Sequence, residues 1–274
     1  MLSPVLRLVR APNLLIAGLG VVAGGWIALE HITWSKELLF AACSGMALGA
    51  AGNTWNDIRD VAADRVNRPG TRPLAAGGVS RDMANFVLCC GVGLGLACAA
   101  LVSGRQVVVA LAALAVMLLY SPLLKPAPGV GNIAVAVVAG SPPFYGALAV
   151  GLPAAGVVPW VLAGWLHLVR EIVKDVEDEA GDRAIGRRTL PIALGRRSAL
   201  VVAAAVGLLF VPASLVLPWY DAYSWVYFLV ALLAQLAVLT AATWLLLGRV
   251  PRVSVLLKGA MVVGLIALVA GKVA

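Results

Sequence analysis

Charged side chains are scarce in this chain. Asp, Glu, Lys and Arg make up 12% of its 274 residues, where a soluble domain carries about 25%. Hydrophobic residues make up 62%, which leaves too little polar surface to clothe a water-soluble globule. The same composition excludes disorder, because a chain stays unfolded through low hydrophobicity. Cysteine is sparse too. Cys43, Cys89, Cys90 and Cys98 all sit in apolar stretches without a Cys-x-x-Cys pair, so neither a zinc site nor a disulfide framework is indicated. Histidine is limited to His31 and His167. Acidic residues number 13 against 21 basic ones, an imbalance that in a soluble protein would suggest a nucleic acid partner.

A helix needs about 20 apolar residues to cross the hydrocarbon of a bilayer. Segments of suitable length fall at approximately 12–29, 38–56, 83–103, 106–122, 130–150, 157–173, 198–217, 224–247 and 252–272. The stretch from Pro126 to Val169 lacks Asp, Glu, Lys and Arg over 44 residues, too long for one crossing, and Gly151-Leu152-Pro153 through Gly156 is the natural break. The first segment follows Arg7 and Arg10 but has the length of a full span, so it reads as a retained helix rather than a leader. The sequence therefore predicts an all-α polytopic membrane protein, with nine transmembrane helices around a central cavity, in a single membrane-embedded domain over residues 1–274.

Nine crossings put the termini on opposite sides. An inside N-terminus places 18 of the 21 Lys and Arg residues on the cytoplasmic face and leaves Lys36, Arg105 and Lys272 outside, the asymmetry that orients membrane proteins. Most of the positive charge is thus topological, and no nucleic acid partner is expected. The simplest location is the plasma membrane, with the N-terminus and the active site on the cytoplasmic side.

Two cytoplasmic loops hold more charge than orientation requires. At the end of the second predicted helix, Asp57, Asp60 and Asp64 stand at i, i+3 and i+7, on one helical face. At the end of the sixth, Asp175, Asp178 and Asp182 repeat the spacing. Like charges on one face repel, so a cation should relieve them. Hard oxygen ligands suit Mg²⁺, which keeps several waters and takes one or two carboxylates together with phosphate oxygens of a substrate. Two such faces opposed across a cavity could clamp a diphosphate. A single cluster could equally be a solvated helix end, but the duplication favours a site.

These motifs resemble those of the UbiA superfamily of intramembrane prenyltransferases, whose pattern is N-D-x-x-D-x-x-x-D on the second helix and D-x-x-x-D on the sixth. Here they read Asn56-Asp57 through Asp60 to Asp64, and Asp178 to Asp182 with Asp175 extending the second. The runs Asp64-Arg65-Val66-Asn67-Arg68-Pro69, Arg72-Pro73-Leu74, Lys174-Asp175 through Gly181-Asp182 and Thr189-Leu190-Pro191 look most like the digeranylgeranylglyceryl phosphate synthase branch. The resemblance implies a Mg²⁺-dependent transfer of a prenyl group, geranylgeranyl in that branch, from an allylic diphosphate to the hydroxyl of geranylgeranylglyceryl phosphate. It implies that Asp57, Asp60, Asp64, Asp175, Asp178 and Asp182 hold the metal, with Asn56 supplying an amide contact. Partners would be the prenyl diphosphate donor, a lipid-like or aromatic acceptor, and membrane lipids.

Arg68, Arg72, Lys125 and Lys174 are the candidates for phosphate contacts, although Lys174 could pair with Glu171 or Asp178 instead. Asp64 or Asp182, last in each cluster, could take the acceptor's proton. Arg187 and Arg188 could serve an acceptor phosphate, but lipid headgroups are the plainer partners for them and for Arg65, Arg81, Arg196 and Arg197. His167 reads as a hydrogen-bonded packing residue, and Trp165, Phe144 and Tyr145 as packing residues or flanks for a cation. Two other functions stay open from the residues alone: prenylation of an aromatic acceptor in quinone or tetrapyrrole synthesis, and divalent-cation transport.

Overall fold

The computed structural model describes residues 3–68 and 70–273, and Pro69 of the first motif lies outside them. The described residues are helical, with no strand among them. Twelve α-helices follow in order: α1 (Pro4–Leu8), α2 (Ala11–Leu29), α3 (Lys36–Asn67), α4 (Arg81–Val102), α5 (Gly104–Leu119), α6 (Val130–Gly140), α7 (Pro142–Ala149), α8 (Val157–Ala184), α9 (Leu190–Leu194), α10 (Arg196–Tyr220), α11 (Trp225–Leu246) and α12 (Val253–Val273). Several starts are written locally. The hydroxyls of Ser35, Ser80 and Ser103 accept from the backbone N–H of Leu38, Met83 and Gln106, and Glu37 and Asp82 add negative charge to the first turns of α3 and α4, where the helix dipole favours it.

Seven helices are long and apolar enough to cross a membrane, and the bent pair α6 and α7 makes an eighth. The chain is therefore a multi-pass membrane protein. α3 stands apart because small and polar residues such as Gly45, Gly49, Asn53 and Thr54 dilute its apolar character. It is nevertheless 32 residues long. At a rise of about 1.5 Å per residue that greatly exceeds the roughly 30 Å of hydrocarbon, so its acidic final turns need not lie in lipid.

The expected break between Gly151 and Gly156 is present as a 3-10 turn over Pro153–Gly156. A second break was not expected. The segment over 130–150 is two helices meeting at 40°, because Pro142 and Pro143 bring no N–H to the ladder, while Ser141 before them keeps helical dihedrals, φ −71° and ψ −13°. Ser141, at the bend, turns its hydroxyl back to the Val138 carbonyl at 2.8 Å. The fourth segment extends α5 into a π-helical turn over Tyr120–Leu124, where Pro122 again lacks a donor. A wide turn of this kind re-aims side chains, and it does so here at the site.

Two large apolar cores form, beside a smaller cluster of Leu8, Ile58, Val79 and Ala84. One joins α8, α10, α11 and α12 around residues such as Leu166, Val173, Val238 and Leu257. The other joins α2, α3, α4 and α5 around Val21, Ala41, Leu48 and Ala110. The crossing of α3 and α8 links them at the end that carries the acidic residues.

Candidate active site

Asp57, Asp60 and Asp64 share one face of α3, and with Asp178 and Asp182 of α8 they line a cavity of about 640 Å³. The cavity wall also draws on α2, α5, α7, α11 and α12. The two acidic faces meet across it, because three cations are held by both. Arg187 reaches Asp60 at 2.5 Å and Asp182 at 3.3 Å. Lys125 lies 2.8 Å from Asp60 and 3.9 Å from Asp182. Arg68 binds Asp178 at 2.6 Å and approaches Asp64 at 3.9 Å. Arg72 adds contacts of 3.6 Å to Asp57 and 3.5 Å to Asp64.

Local structure explains how these side chains arrive. The π turn after α5 delivers Lys125 to Asp60 and lets the Ser121 hydroxyl donate to the Asn56 amide oxygen at 3.0 Å. Asn56 therefore contacts that turn rather than a carboxylate. Arg187 is returned by the C-terminal cap of α8. Gly186 takes a positive φ of 72°, its N–H binds the Arg183 carbonyl, and the Arg187 N–H binds the Asp182 carbonyl, the hydrogen-bond pattern of a Schellman cap.

Asn67 fixes the crossing of the two acidic helices. Its amide donates to the Asp178 carbonyl at 2.9 Å and accepts from the Gly181 N–H at 2.7 Å. A Cβ on Gly181 would lie 2.7 Å from the Ala63 carbonyl oxygen and closer still to the Asn67 amide. Gly181→Ala is therefore expected to pry α3 from α8, destabilising the fold by about 1–3 kcal/mol as overpacking does. It should lower both the unfolding temperature and activity; an unchanged unfolding temperature would contradict the tight crossing.

Environment divides neighbouring carboxylates. Burial alone would raise the Asp60 carboxyl, but the charges of Lys125 and Arg187 outweigh it and hold the group below its ordinary range. At Asp64 burial prevails over Arg72, with Asp57 and Asp60 adding repulsion, and its carboxyl is pushed up. Asp57 Oδ2 and Asp182 Oδ2 are buried without a hydrogen-bond partner. Among the described residues no three acidic or imidazole groups form a closed metal cage. Magnesium does not need one, since substrate phosphates and water complete its shell. Hard oxygens with free lone pairs on both acidic helices therefore fit it.

Other expected residues sit differently. Asp175 is not among the residues lining the cavity, and its carboxylate is tied to the Asn132 amide at 2.8 Å. Lys174 lines the cavity but pairs with Glu171 at 3.4 Å rather than with the aspartates. His167 also lines it, and its Nδ1 is buried with no partner, so the expected hydrogen bond at that nitrogen is absent. Trp165 binds the Val206 carbonyl through its indole N–H and packs on the α8–α12 core. Tyr145 lines the cavity and shares a hydrogen bond with Ser44. Arg187 belongs to the acidic centre, not to lipid headgroups. Arg10, assigned above only to membrane orientation, donates to Asn53 and Asp57, both at 2.8 Å. Its backbone holds a left-handed φ of 58° as α2 begins, a conformation that a non-glycine residue adopts only under constraint. Gly186 was the legible hint for Arg187; nothing in the local sequence marks Arg10.

The chain is a multi-pass helical bundle with two acidic helix ends joined across one cavity, and its family makes it a membrane-embedded enzyme of the prenyltransferase class. The chain belongs to the UbiA prenyltransferase family, whose model matches residues 16–266. It is 44% identical over 210 residues to digeranylgeranylglyceryl phosphate synthase of Thermococcus gammatolerans, covering 76% of this chain and 75% of that one. It is 37% identical over 272 residues to the synthase of the same name from Methanopyrus kandleri, covering 97% of each. A solved structure concerned with digeranylgeranylglyceryl phosphate synthase in membranes superposes with a TM-score of 0.77 at 26% identity, covering 98% of both chains. A UbiA homolog from Archaeoglobus fulgidus bound to GPP and Mg²⁺ shares the fold, with a TM-score of 0.66 at 19% identity and 99% of each chain covered. As a member of a prenyltransferase family the chain is an enzyme, and the transporter reading loses its support.

Proposed function

We propose that this enzyme transfers a geranylgeranyl group from its diphosphate to the hydroxyl of geranylgeranylglyceryl phosphate, with magnesium as cofactor. The observation that carries the proposal is the sharing of Lys125 and Arg187 between Asp60 of α3 and Asp182 of α8, which joins two remote motifs in one charged centre. The names of the two relatives, and the donor and metal held by the Archaeoglobus homolog, support the choice of substrates.

In this reading Asp57, Asp60, Asp64, Asp178 and Asp182 would hold magnesium, while Asp175, tied to Asn132, stays behind the cavity wall. Magnesium, when bound, would offset the charge that builds on the departing diphosphate. Arg68, Arg72, Lys125 and Arg187 exchange their present carboxylate partners for phosphate oxygens, Arg by its paired donors. Asn56, held by Ser121, orients the centre. The allylic C–O bond breaks with its electrons passing to the diphosphate. The acceptor oxygen then forms the ether bond, and its proton passes to Asp182 Oδ2 or to Asp64. Apolar residues such as Leu14, Met117, Leu162 and Leu268 line the rest of the cavity and suit isoprenoid tails. With α3 counted, nine transmembrane helices form a single domain around this central cavity. The positive-inside bias supports a cytoplasmic position for the acidic end, in what we take to be the plasma membrane.

Purified enzyme given labelled geranylgeranyl diphosphate should prenylate geranylgeranylglyceryl phosphate at least about tenfold faster than a hydroxybenzoate, because an aromatic acceptor leaves the cations facing a glyceryl phosphate unused. The reverse preference would overturn the acceptor and keep the reaction.

A further inference from the structure

The acidic centre is balanced in charge. Asp57, Asp60, Asp64, Asp178 and Asp182 face Arg10, Arg68, Arg72, Lys125 and Arg187. A neighbouring part of the same cavity is not balanced. His167, Arg170, Glu171 and Lys174 lie at i, i+3, i+4 and i+7 on α8 and all line it. On α12, Ser254, Lys258 and Met261 line it from the facing wall. Glu171 is the one carboxylate among these side chains, and Arg170 at 3.0 Å and Lys174 at 3.4 Å already share it. Lys258 meets no carboxylate among the described residues. Its ammonium reaches the neutral amide oxygen of Asn13 at 3.1 Å. Arg170 Nε and His167 Nδ1 are buried with no hydrogen-bond partner. Glu177 is exposed but lines the same cavity, a second carboxylate beside Lys174.

Three cations against the buried Glu171 and the exposed Glu177, with two orphaned nitrogens, leave a surplus of positive charge inside an apolar bundle. Such a surplus is expensive unless an anion completes it. A phosphate monoester carries close to two negative charges and three acceptor oxygens, enough to complete that surplus and to partner the orphaned nitrogens. We infer that Arg170, Lys174 and Lys258 form a second anion site, distinct from the diphosphate centre, which receives the phosphate of the acceptor. The inference rests on the function proposed above and adds where acceptor recognition resides. The two sites adjoin through the start of α2, where Arg10 touches Asp57 and Asn13, one turn on, touches Lys258. An acceptor anchored by its phosphate at Lys258 therefore has its glyceryl hydroxyl beside the acidic centre. Lys174 thus keeps a phosphate-binding role, toward the acceptor and not the donor.

The test uses the full chain in lipid nanodiscs, with geranylgeranylglyceryl phosphate and the same lipid lacking its phosphate as paired acceptors. Lys258→Gln should raise the KM of the phosphorylated acceptor at least about tenfold, the loss of one charged hydrogen bond. Its kcat and donor KM should change little, and Lys258→Arg should restore the wild-type KM. Arg170→Gln should give the same split. The wild type should prefer the phosphorylated acceptor, and Lys258→Gln should use the two almost equally. An unchanged acceptor KM in both glutamine variants, or a donor KM that rises in step with it, overturns the second site and leaves the assigned reaction intact. A wild type inert toward the phosphorylated acceptor but active on another one overturns the assigned reaction, and the second site with it.

Discussion

Asp182→Asn is expected to lower kcat/KM by about a thousandfold, within the range that loss of a positioned proton acceptor produces. Asp182 is almost wholly buried, and Arg187 and Lys125 both lie against its Oδ1. Its Oδ2 is free. The amide keeps the shape and one oxygen for those cations, so the helix crossing should survive. What it loses is a negative charge in a poorly solvated place and a lone pair able to accept a proton. Single-turnover measurements should find the donor still bound and its diphosphate released slowly. Asp64→Asn is a useful companion, because Asp64 also carries a carboxyl raised by burial. If both variants turned over at the wild-type rate, neither residue would be the proton acceptor.

Removing magnesium should reduce product formation to about a hundredth or less, since the charge building on the diphosphate would lose several kcal/mol of stabilisation. Restoring the ion should return activity in full. Asp60→Asn sharpens the test. Lys125 and Arg187 hold Asp60 below its ordinary range, so its replacement removes a proposed metal ligand and leaves two cations without their shared counter-charge. The magnesium concentration for half-maximal rate should rise about tenfold or more, and kcat/KM should fall by a further factor of roughly a hundred, about 2.7 kcal/mol. Full activity in a chelator would remove the metal from the reaction and end the present account of the aspartates.

Some of the site was legible because its signal is local. An i, i+3, i+7 spacing on a helix puts three side chains on one face whatever the rest of the chain does, and the structure places Asp57, Asp60 and Asp64 so. The spacing failed at Asp175, where the face of α8 turned toward the cavity carries Glu171, Lys174 and Asp178, and Asn132 from α6 takes up the remaining carboxylate. Proline signalled structure in two ways. Pro153 marked its break correctly, whereas Pro122, Pro142 and Pro143 lay inside apolar stretches whose length and hydropathy looked continuous. The resulting π turn and bend are backbone events, invisible to a count of apolar residues.

Hydropathy and charge along the chain determined that this is a helical membrane protein and that its carboxylates gather at the ends of two helices. These properties depend on side chains interacting with lipid or water, and each segment does that by itself. Which cation meets which carboxylate was decided only when the helices packed. Nothing in the sequence around Arg10, Lys125, Arg187 and Lys258 names the partner that each one meets. They reach the cavity through a left-handed helix start, a π turn, a glycine cap and the packing of α12 beside α2 and α8. Pairing of charges falls off steeply with distance and solvent, so partners remote along the chain become partners only where tertiary packing brings them within a few ångströms and excludes water.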